Sequence, residues 1–306
     1  ARALVKNAGD DEEGRRCSMS HLAVALSTAV NAVSNLNAQV ASGMFGSTHI
    51  APITNGVHHI TWTSPQMGGL FDVHLPGWKE DPSQLGYAGS LPDEALLEAR
   101  QANRRMLREL VRASTGVELE EHRLTIGFAR RFATYKRANL VFSDLERLRA
   151  IGADRIQFVF SGKAHPKDEG GKQLIRDIFA SAGEVANEIP VAFIENYDMD
   201  TGLAMTSGVD IWLNNPIRPL EASGTSGMKA AMNGVPNCSI LDGWWPEGCE
   251  HGVNGWAIGG AEDERDDARD AENIYNVLEH EVLPRWDEGP ERWAKLMRAS
   301  IATSAR

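Results

Sequence analysis

The chain has 306 residues, of which 42% are hydrophobic and 24% charged, and 31 basic against 42 acidic side chains give a formal net charge of −11. This composition excludes an intrinsically disordered, collagen-like or disulfide-rich protein. The acidic balance, without a Lys/Arg stripe interleaved with aromatic residues, also argues against nucleic acid as a partner. At roughly 100–200 residues per domain, the length allows one large α/β domain or two smaller ones.

The N-terminal part of the sequence differs from the rest in its charge and in its predicted elements. Residues 1–16 have neither an initiator Met nor the apolar run of a signal peptide, so we expect a piece of a longer protein. Three cysteines, without zinc spacing or a disulfide-rich pattern, favour a reducing cytoplasm. Residues 17–71 contain no Asp, Glu, Lys or Arg, but polar residues interrupt them too often for a membrane span of about 20 apolar residues. Apolar residues at every third or fourth position predict one helix over residues 18–42, ending at Gly43.

The remaining elements follow a regular alternation. Residues 43–87 are predicted to be loop-rich because of their Pro and Gly content, and residues 92–114 are predicted to form a solvated surface helix. Six short apolar runs then alternate with amphipathic segments: residues 124–128, 156–160, 191–194, 209–213, 239–241 and 256–258. This pattern predicts an α/β fold with a doubly wound, Rossmann-like parallel sheet, and a helical tail from residue 271 to about 298.

Basic residues follow the first predicted strand. Ligands bind at the carboxyl ends of such strands, and Arg130, Arg131, Lys136 and Arg137 place four cations within eight residues there. A guanidinium and an ammonium five residues apart, as in Arg131 and Lys136, can hold one phosphate from two sides. The alternative is a solvated basic turn, because charge runs usually lie on surfaces.

The strongest motif follows the fourth predicted strand. Residues 221–229 read Glu-Ala-Ser-Gly-Thr-Ser-Gly-Met-Lys and lead into a helix. The free N–H groups and the dipole of such a helix start form an anion site. Lys229 lies in the first turn, where its amine could react with an aldehyde; the alternative is an exposed helix lysine.

Five motifs together resemble a known family. Residues 54–57, 130–137, 161–164, 195–197 and 221–229 are similar, in order and spacing, to glycogen/α-glucan phosphorylases, and the resemblance covers about residues 18–306. Two further segments, 242–245 and 254–257, are similar to the shorter bacterial and archaeal branch. The resemblance implies the C-terminal half of a two-Rossmann, GT-B glycosyltransferase fold. Residues 1–50 would end the N-terminal domain, as a partial helical piece. Residues 51–306 would form the C-terminal Rossmann-like domain that binds pyridoxal 5′-phosphate, with its C-terminal helices.

The resemblance also implies roles for individual residues. Lys229 would anchor pyridoxal 5′-phosphate covalently, and the catalytic cations Arg131 and Lys136 would bind substrate phosphate. The other implied cofactor contacts are Gly224, Thr225, Arg130, Tyr197 and Trp62. The implied contacts to glucose hydroxyls are Asn55, Glu221, Ala222 and Ser223. No metal is implied.

The implied activity is the reversible phosphorolysis of glycogen, starch or maltodextrin to α-D-glucose 1-phosphate with retention. Its partners would be an α-1,4-glucan, inorganic phosphate and the missing N-terminal domain, without which the chain should be an incomplete catalyst; homo-oligomerisation stays open. Two alternatives are a nucleotide-sugar glucosyltransferase of the glycogen synthase type and an inactive glucan-binding module. The synthase type has a second Glu eight residues after the first, whereas here Lys229 follows Glu221 at that spacing, which favours the phosphorylase.

One segment departs from the family pattern. Where the family usually has Gly, Lys, His, Gly and Glu, this chain has Ala32, Asn35, Asn37, Ala38 and Gln39. These small or neutral residues put the local packing and the domain contact in question. We assign the segment no catalytic role.

Overall fold

The computed structural model describes residues 18–46, 50–261 and 264–305. The expectations for residues 1–16 therefore fall outside the described residues. No helix within the described ranges is long and apolar enough to cross a membrane.

The single helix predicted for residues 18–42 is wrong. The chain instead forms helix α1 (Met19–Leu26), a short strand β1 (Asn31–Ala32) and helix α2 (Asn35–Phe45), and β1 pairs in parallel with β2 (Ala51–Pro52). Ser34 starts α2 as its N-cap, because its hydroxyl accepts the Asn37 amide at 3.0 Å. Serine and asparagine side chains can hydrogen-bond to nearby backbone groups and so begin a new helix or interrupt one. The spacing of the apolar residues did not reveal this interruption.

The loop-rich interpretation of residues 43–87 is also wrong for a large part of their length. They contain helices α3 (His59–Trp62) and α4 (Pro65–His74) and a 3-10 segment at Pro82–Ser90. Ser64 caps α4 through the Met67 amide at 3.2 Å, with a proline in the first helical position. A proline that begins a helix was interpreted as one that prevents it.

The predicted helix near residue 100 is confirmed as α5 (Asp93–Thr115), which ends at Gly116 in the left-handed conformation, φ 74°. It is not a wholly solvated helix. One face, including Leu96, Leu107 and Val111, is buried.

All six predicted strands are present and form one parallel sheet. They are β3 (Leu124–Ala129), β4 (Ile156–Ser161), β5 (Val191–Ile194), β6 (Ile211–Asn214), β7 (Asn237–Ile240) and β8 (Gly255–Ile258). Their order is β5-β4-β3-β6-β7-β8, so the winding reverses between β3 and β6. A ligand cleft is expected outside the carboxyl ends of the strands at this switch point.

Helices cover both faces of the sheet, as expected for a Rossmann-like fold. They are α6 (Leu145–Gly152), α7 (Glu169–Val185), α8 (Met199–Gly208), α9 (Thr225–Met232), α10 (Trp245–Gly248), α11 (Asp267–Val277), α12 (Leu283–Asp287) and α13 (Pro290–Thr303). Along β3, Ile126 and Phe128 enter one hydrophobic core, whereas Ala129 enters a second core with Leu107 of α5 and Met205 of α8. The tail is helical as predicted, although a π-helical turn at Leu278–Val282 joins α11 to α12.

Candidate anion and amine site

A cleft of about 410 Å³ lies at the switch point, next to the carboxyl ends of β3 and β6. It brings together eleven of the twelve residues predicted for the site: Asn55, Arg130, Arg131, Lys136, Tyr197, Glu221, Ala222, Ser223, Gly224, Thr225 and Lys229. The twelfth, Trp62, contacts Lys229. Val33, Ala129 and Ser226 also line the cleft and were not predicted.

Glu221 connects two of the cations. Its Oε2 atom accepts hydrogen bonds from Arg130 Nη2 at 2.9 Å and from Lys136 Nζ at 2.7 Å. All three side chains are buried, each exposing less than a tenth of its surface. Burial opposes the charged form of Glu221, but Arg130 and Lys136 outweigh it and the net effect lowers its pKa. Burial, with Arg130 nearby, lowers the pKa of Lys136 to about 8.

The four cations after β3 separate into two groups. Arg130, Arg131 and Lys136 line the cleft. Arg137 does not, because its buried guanidinium donates to the carbonyls of Asn215 and Pro216 and pairs with Asp267 of α11 at 2.9 Å. The interpretation as a solvated basic turn is therefore wrong for Arg130, Lys136 and Arg137, whereas Arg131 is exposed.

An aspartate that the sequence analysis missed holds the loop before α9. Asp242 Oδ2 accepts the Glu221 amide at 2.9 Å, and its Oδ1 accepts the Gly243 amide at 2.8 Å. Gly243 has φ 59°, and a Cβ there would lie 2.3 Å from the Ser223 carbonyl oxygen, so a side chain would push the loop away. Residues 242–245 were recognised only as a segment similar to one branch of the family, and the position of Asp242 just after an apolar run gave it no role.

The buried position of Asp242 predicts a pH effect on stability. Burial raises its pKa to about 6, although the two amide hydrogen bonds act in the opposite direction. Because this exceeds the unfolded value of about 3.9, the group favours folding at low pH, and this contribution is lost as the pH rises through 6. Asp242→Asn removes the titration, so its stability relative to wild type should rise by about 2 kcal/mol between about pH 4 and pH 7. Urea unfolding at both pH values measures this; a constant difference would contradict it.

Lys229 is not the exposed helix lysine of the alternative interpretation. Its Nζ lies 3.2 Å from the centroid of the Trp62 ring, and the side chain is half-buried. Burial lowers the pKa of this amine, which increases the fraction of free base at neutral pH. No carboxylate pairs with it among the residues that the structure describes.

Asn233 holds the Trp62 segment against helix α9, and it was also missed. Its Nδ2 donates to the carbonyls of Trp62 at 2.6 Å and Lys229 at 2.9 Å, while its Oδ1 accepts the Ser64 amide at 2.8 Å. Asn233 is buried, so water cannot easily compete for these bonds. It thereby fixes the Trp62 backbone beside helix α9, which carries the amine.

The cleft fits an anionic ligand that also carries an aldehyde. Arg130 Nε and Ser223 Oγ are buried and have no hydrogen-bond partner within the described part of the chain. Gly224, with φ 82°, starts α9 beside them and directs the helix N-terminus into the cleft. Burial raises the pKa of the neighbouring Tyr197 phenol, so it stays protonated as a donor. No cluster of three His, Cys, Asp or Glu side chains suited to a metal occurs among the described residues.

Comparisons with known proteins give a consistent result. A family model described as carbohydrate phosphorylase matches residues 5–276. The maltodextrin phosphorylase of Thermococcus litoralis is 42% identical over 96% of this chain and 39% of its own length. The glycogen phosphorylase of Aquifex aeolicus is 40% identical over 97% of this chain and 48% of its own length. The glycogen phosphorylase of Mycobacterium tuberculosis is 37% identical over 96% of this chain and 39% of its own length. The chain thus spans less than half the length of the curated relatives it matches.

Proposed function

The chain belongs to the carbohydrate phosphorylase family, and from that premise we propose that it is the C-terminal part of a pyridoxal-phosphate-dependent α-1,4-glucan phosphorylase of GT-B fold. The observation that carries the proposal is the pairing, in one cleft, of a half-buried amine at Lys229 with an anion site formed by buried cations and a helix start. A nucleotide-sugar transferase needs no such amine. A glucan-binding module needs neither feature.

The cofactor contacts follow from this arrangement. Lys229 would anchor the aldehyde, Trp62 would cover it, and Arg130, with the amides of Gly224 and Thr225, would hold the cofactor phosphate beside Tyr197. When bound, pyridoxal phosphate supplies a phosphate group that exchanges a proton with the substrate phosphate. The helix dipole and the guanidinium offset the charge of that group.

The remaining residues would act on the substrates. Arg131 and Lys136 would hold inorganic phosphate, and a cationic clamp offsets the repulsion between two phosphates held close together. Asn55, Glu221, Ala222 and Ser223 would contact the terminal glucose of the glucan. Retention requires that attack and departure occur on the same face of this sugar, so these contacts must fix its orientation throughout.

The N-terminal segment would contact the rest of the enzyme. Met19, Leu26 and Met44 are 71%, 63% and 62% exposed, in a segment without charged residues. In the proposed enzyme these side chains would be covered by the N-terminal domain. We assign residues 1–50 to the end of an N-terminal domain and residues 51–306 to the C-terminal domain, and the missing upstream part would complete the glucan site.

Reductive trapping tests the proposal directly. The purified chain is incubated with pyridoxal 5′-phosphate, reduced with borohydride and mapped by mass spectrometry. We expect one modified residue, Lys229. Scattered modification of surface lysines, or tight binding of ADP- or UDP-glucose without an adduct, would contradict the proposal.

A second test separates substrate phosphate from cofactor phosphate. Arg131 is exposed and lines the cleft, so Arg131→Ala should leave folding and the adduct intact. In the complete enzyme it should raise the KM for phosphate by about ten- to a hundred-fold, the range for losing one hydrogen bond to a charged group. Equal phosphate kinetics in variant and parent would remove Arg131 from the site.

A further inference from the structure

The ion pairs of Glu221 conflict with the role of its two partners as anion ligands. Arg130 and Lys136 line the cleft, yet a single carboxylate oxygen, Glu221 Oε2, already accepts from both. The oxygen lies between a guanidinium and an ammonium, which is the position that a phosphate oxygen takes in a two-sided clamp. Glu221 is the one acidic side chain among the described residues that line the cleft.

A phosphate and the carboxylate cannot share these cations at low cost. Both are anions, the three side chains are buried, and like charges repel strongly where solvent does not screen them. A phosphate that binds both Arg130 Nη2 and Lys136 Nζ must therefore displace Glu221 from them.

The displacement must occur in the side chain alone, because the backbone of the loop is fixed. The Glu221 amide donates to Asp242 at 2.9 Å, Ser34 Oγ donates to the Ala222 carbonyl at 2.8 Å, and the Trp244 amide donates to the Ser223 carbonyl at 2.8 Å. Rotation about the Glu221 side-chain bonds keeps the carboxylate near the cleft that Asn55 and Ser223 also line.

We propose that Glu221 is a displaceable internal anion that couples the binding of phosphate to the binding of sugar. Without phosphate, its carboxylate neutralises Arg130 and Lys136. In the chain without cofactor, inorganic phosphate takes over both cations; in the complete enzyme the cofactor phosphate would take Arg130 and the substrate phosphate Lys136. The released carboxylate becomes an acceptor for sugar hydroxyls. The identity of the sugar rests on the proposed function, whereas the competition with phosphate does not. By linkage, sugar must strengthen phosphate binding by the same factor.

The test uses inorganic phosphate and the isosteric variant Glu221→Gln. Removing the competing charge should let phosphate bind about ten-fold tighter by isothermal titration calorimetry, at constant ionic strength. The variant leaves two buried cations unpaired, so its melting temperature should fall without phosphate and recover on its addition. The wild-type melting temperature should respond much less. The recovery is measurable even if the variant is destabilised.

Glu195→Gln is the matched control. It makes the same change of net charge at an exposed residue just after β5, at the same edge of the sheet, and should bind phosphate like wild type. Unchanged or weaker phosphate binding by Glu221→Gln would overturn the inference. If that result comes with an adduct at Lys229, only the inference fails; tighter phosphate binding without an adduct would support the inference and contradict the proposed function.

Discussion

Lys229→Ala should abolish the reducible adduct with pyridoxal phosphate while the chain stays folded. The amine combines three properties: burial lowers its pKa, the Trp62 ring lies over it at 3.2 Å, and an anion site lies in the same cleft. Together these favour reaction with the aldehyde of a phosphorylated ligand. Because the effect is the loss of a covalent bond, mass spectrometry after borohydride reduction should detect no modified peptide from this region.

Lys163→Ala provides the control for this variant. Lys163 is an exposed lysine just after β4, at the same edge of the sheet, so its removal should leave the adduct unchanged. Circular dichroism should show the same melting transition for both variants as for wild type, within a few degrees. An adduct that persists in Lys229→Ala would identify another lysine as the anchor.

Asp210→Asn should be among the most destabilising substitutions in the chain, by about 3–5 kcal/mol. The Asp210 side chain is fully buried; its Oδ1 accepts from Arg100 at 2.5 Å and pairs with Arg104 at 3.1 Å, and its Oδ2 accepts the Thr125 amide at 2.9 Å. Both guanidinium groups also lie over the Trp286 ring. Asparagine preserves the shape but leaves two buried guanidinium groups without a counter-ion.

Urea unfolding of Asp210→Asn is best compared with Asp287→Asn. Asp287 pairs with Arg155 at 2.6 Å, but both side chains are largely exposed, so breaking this pair should cost at most about 1 kcal/mol. A similar loss of stability in the two variants would contradict the expected cost of leaving Arg100 and Arg104 without a counter-ion.

The sheet was predictable because its strands are buried on both faces. Such strands appear as continuous apolar runs, and parallel strands place their following residues at one edge, so Arg130, Tyr197 and Glu221 were expected together. Strand ends shifted by at most two residues, as where β7 begins at Asn237 rather than at Ser239.

The errors came from polar residues of two kinds, local helix caps and side chains that bind distant parts of the chain. Ser34 and Ser64 start helices that apolar spacing could not locate. Asp242, Asn233 and Asp210 act through partners distant in sequence, such as the Ser64 amide 169 residues from Asn233. An isolated polar residue does not show which backbone group it will meet.

The hydrogen bonds of Asn233 have a mechanical consequence. Because they join the Trp62 carbonyl and the Ser64 amide to the end of helix α9, the backbones that carry the indole and the amine belong to one hydrogen-bonded unit. A shift of α1 or α2 relative to the sheet can move the Trp62 backbone away from α9 only if these buried bonds break. Movement of the segment that precedes α3 would therefore reach the Lys229 amine through Val33 and Asn55, which line the same cleft, and not through the backbone of Trp62.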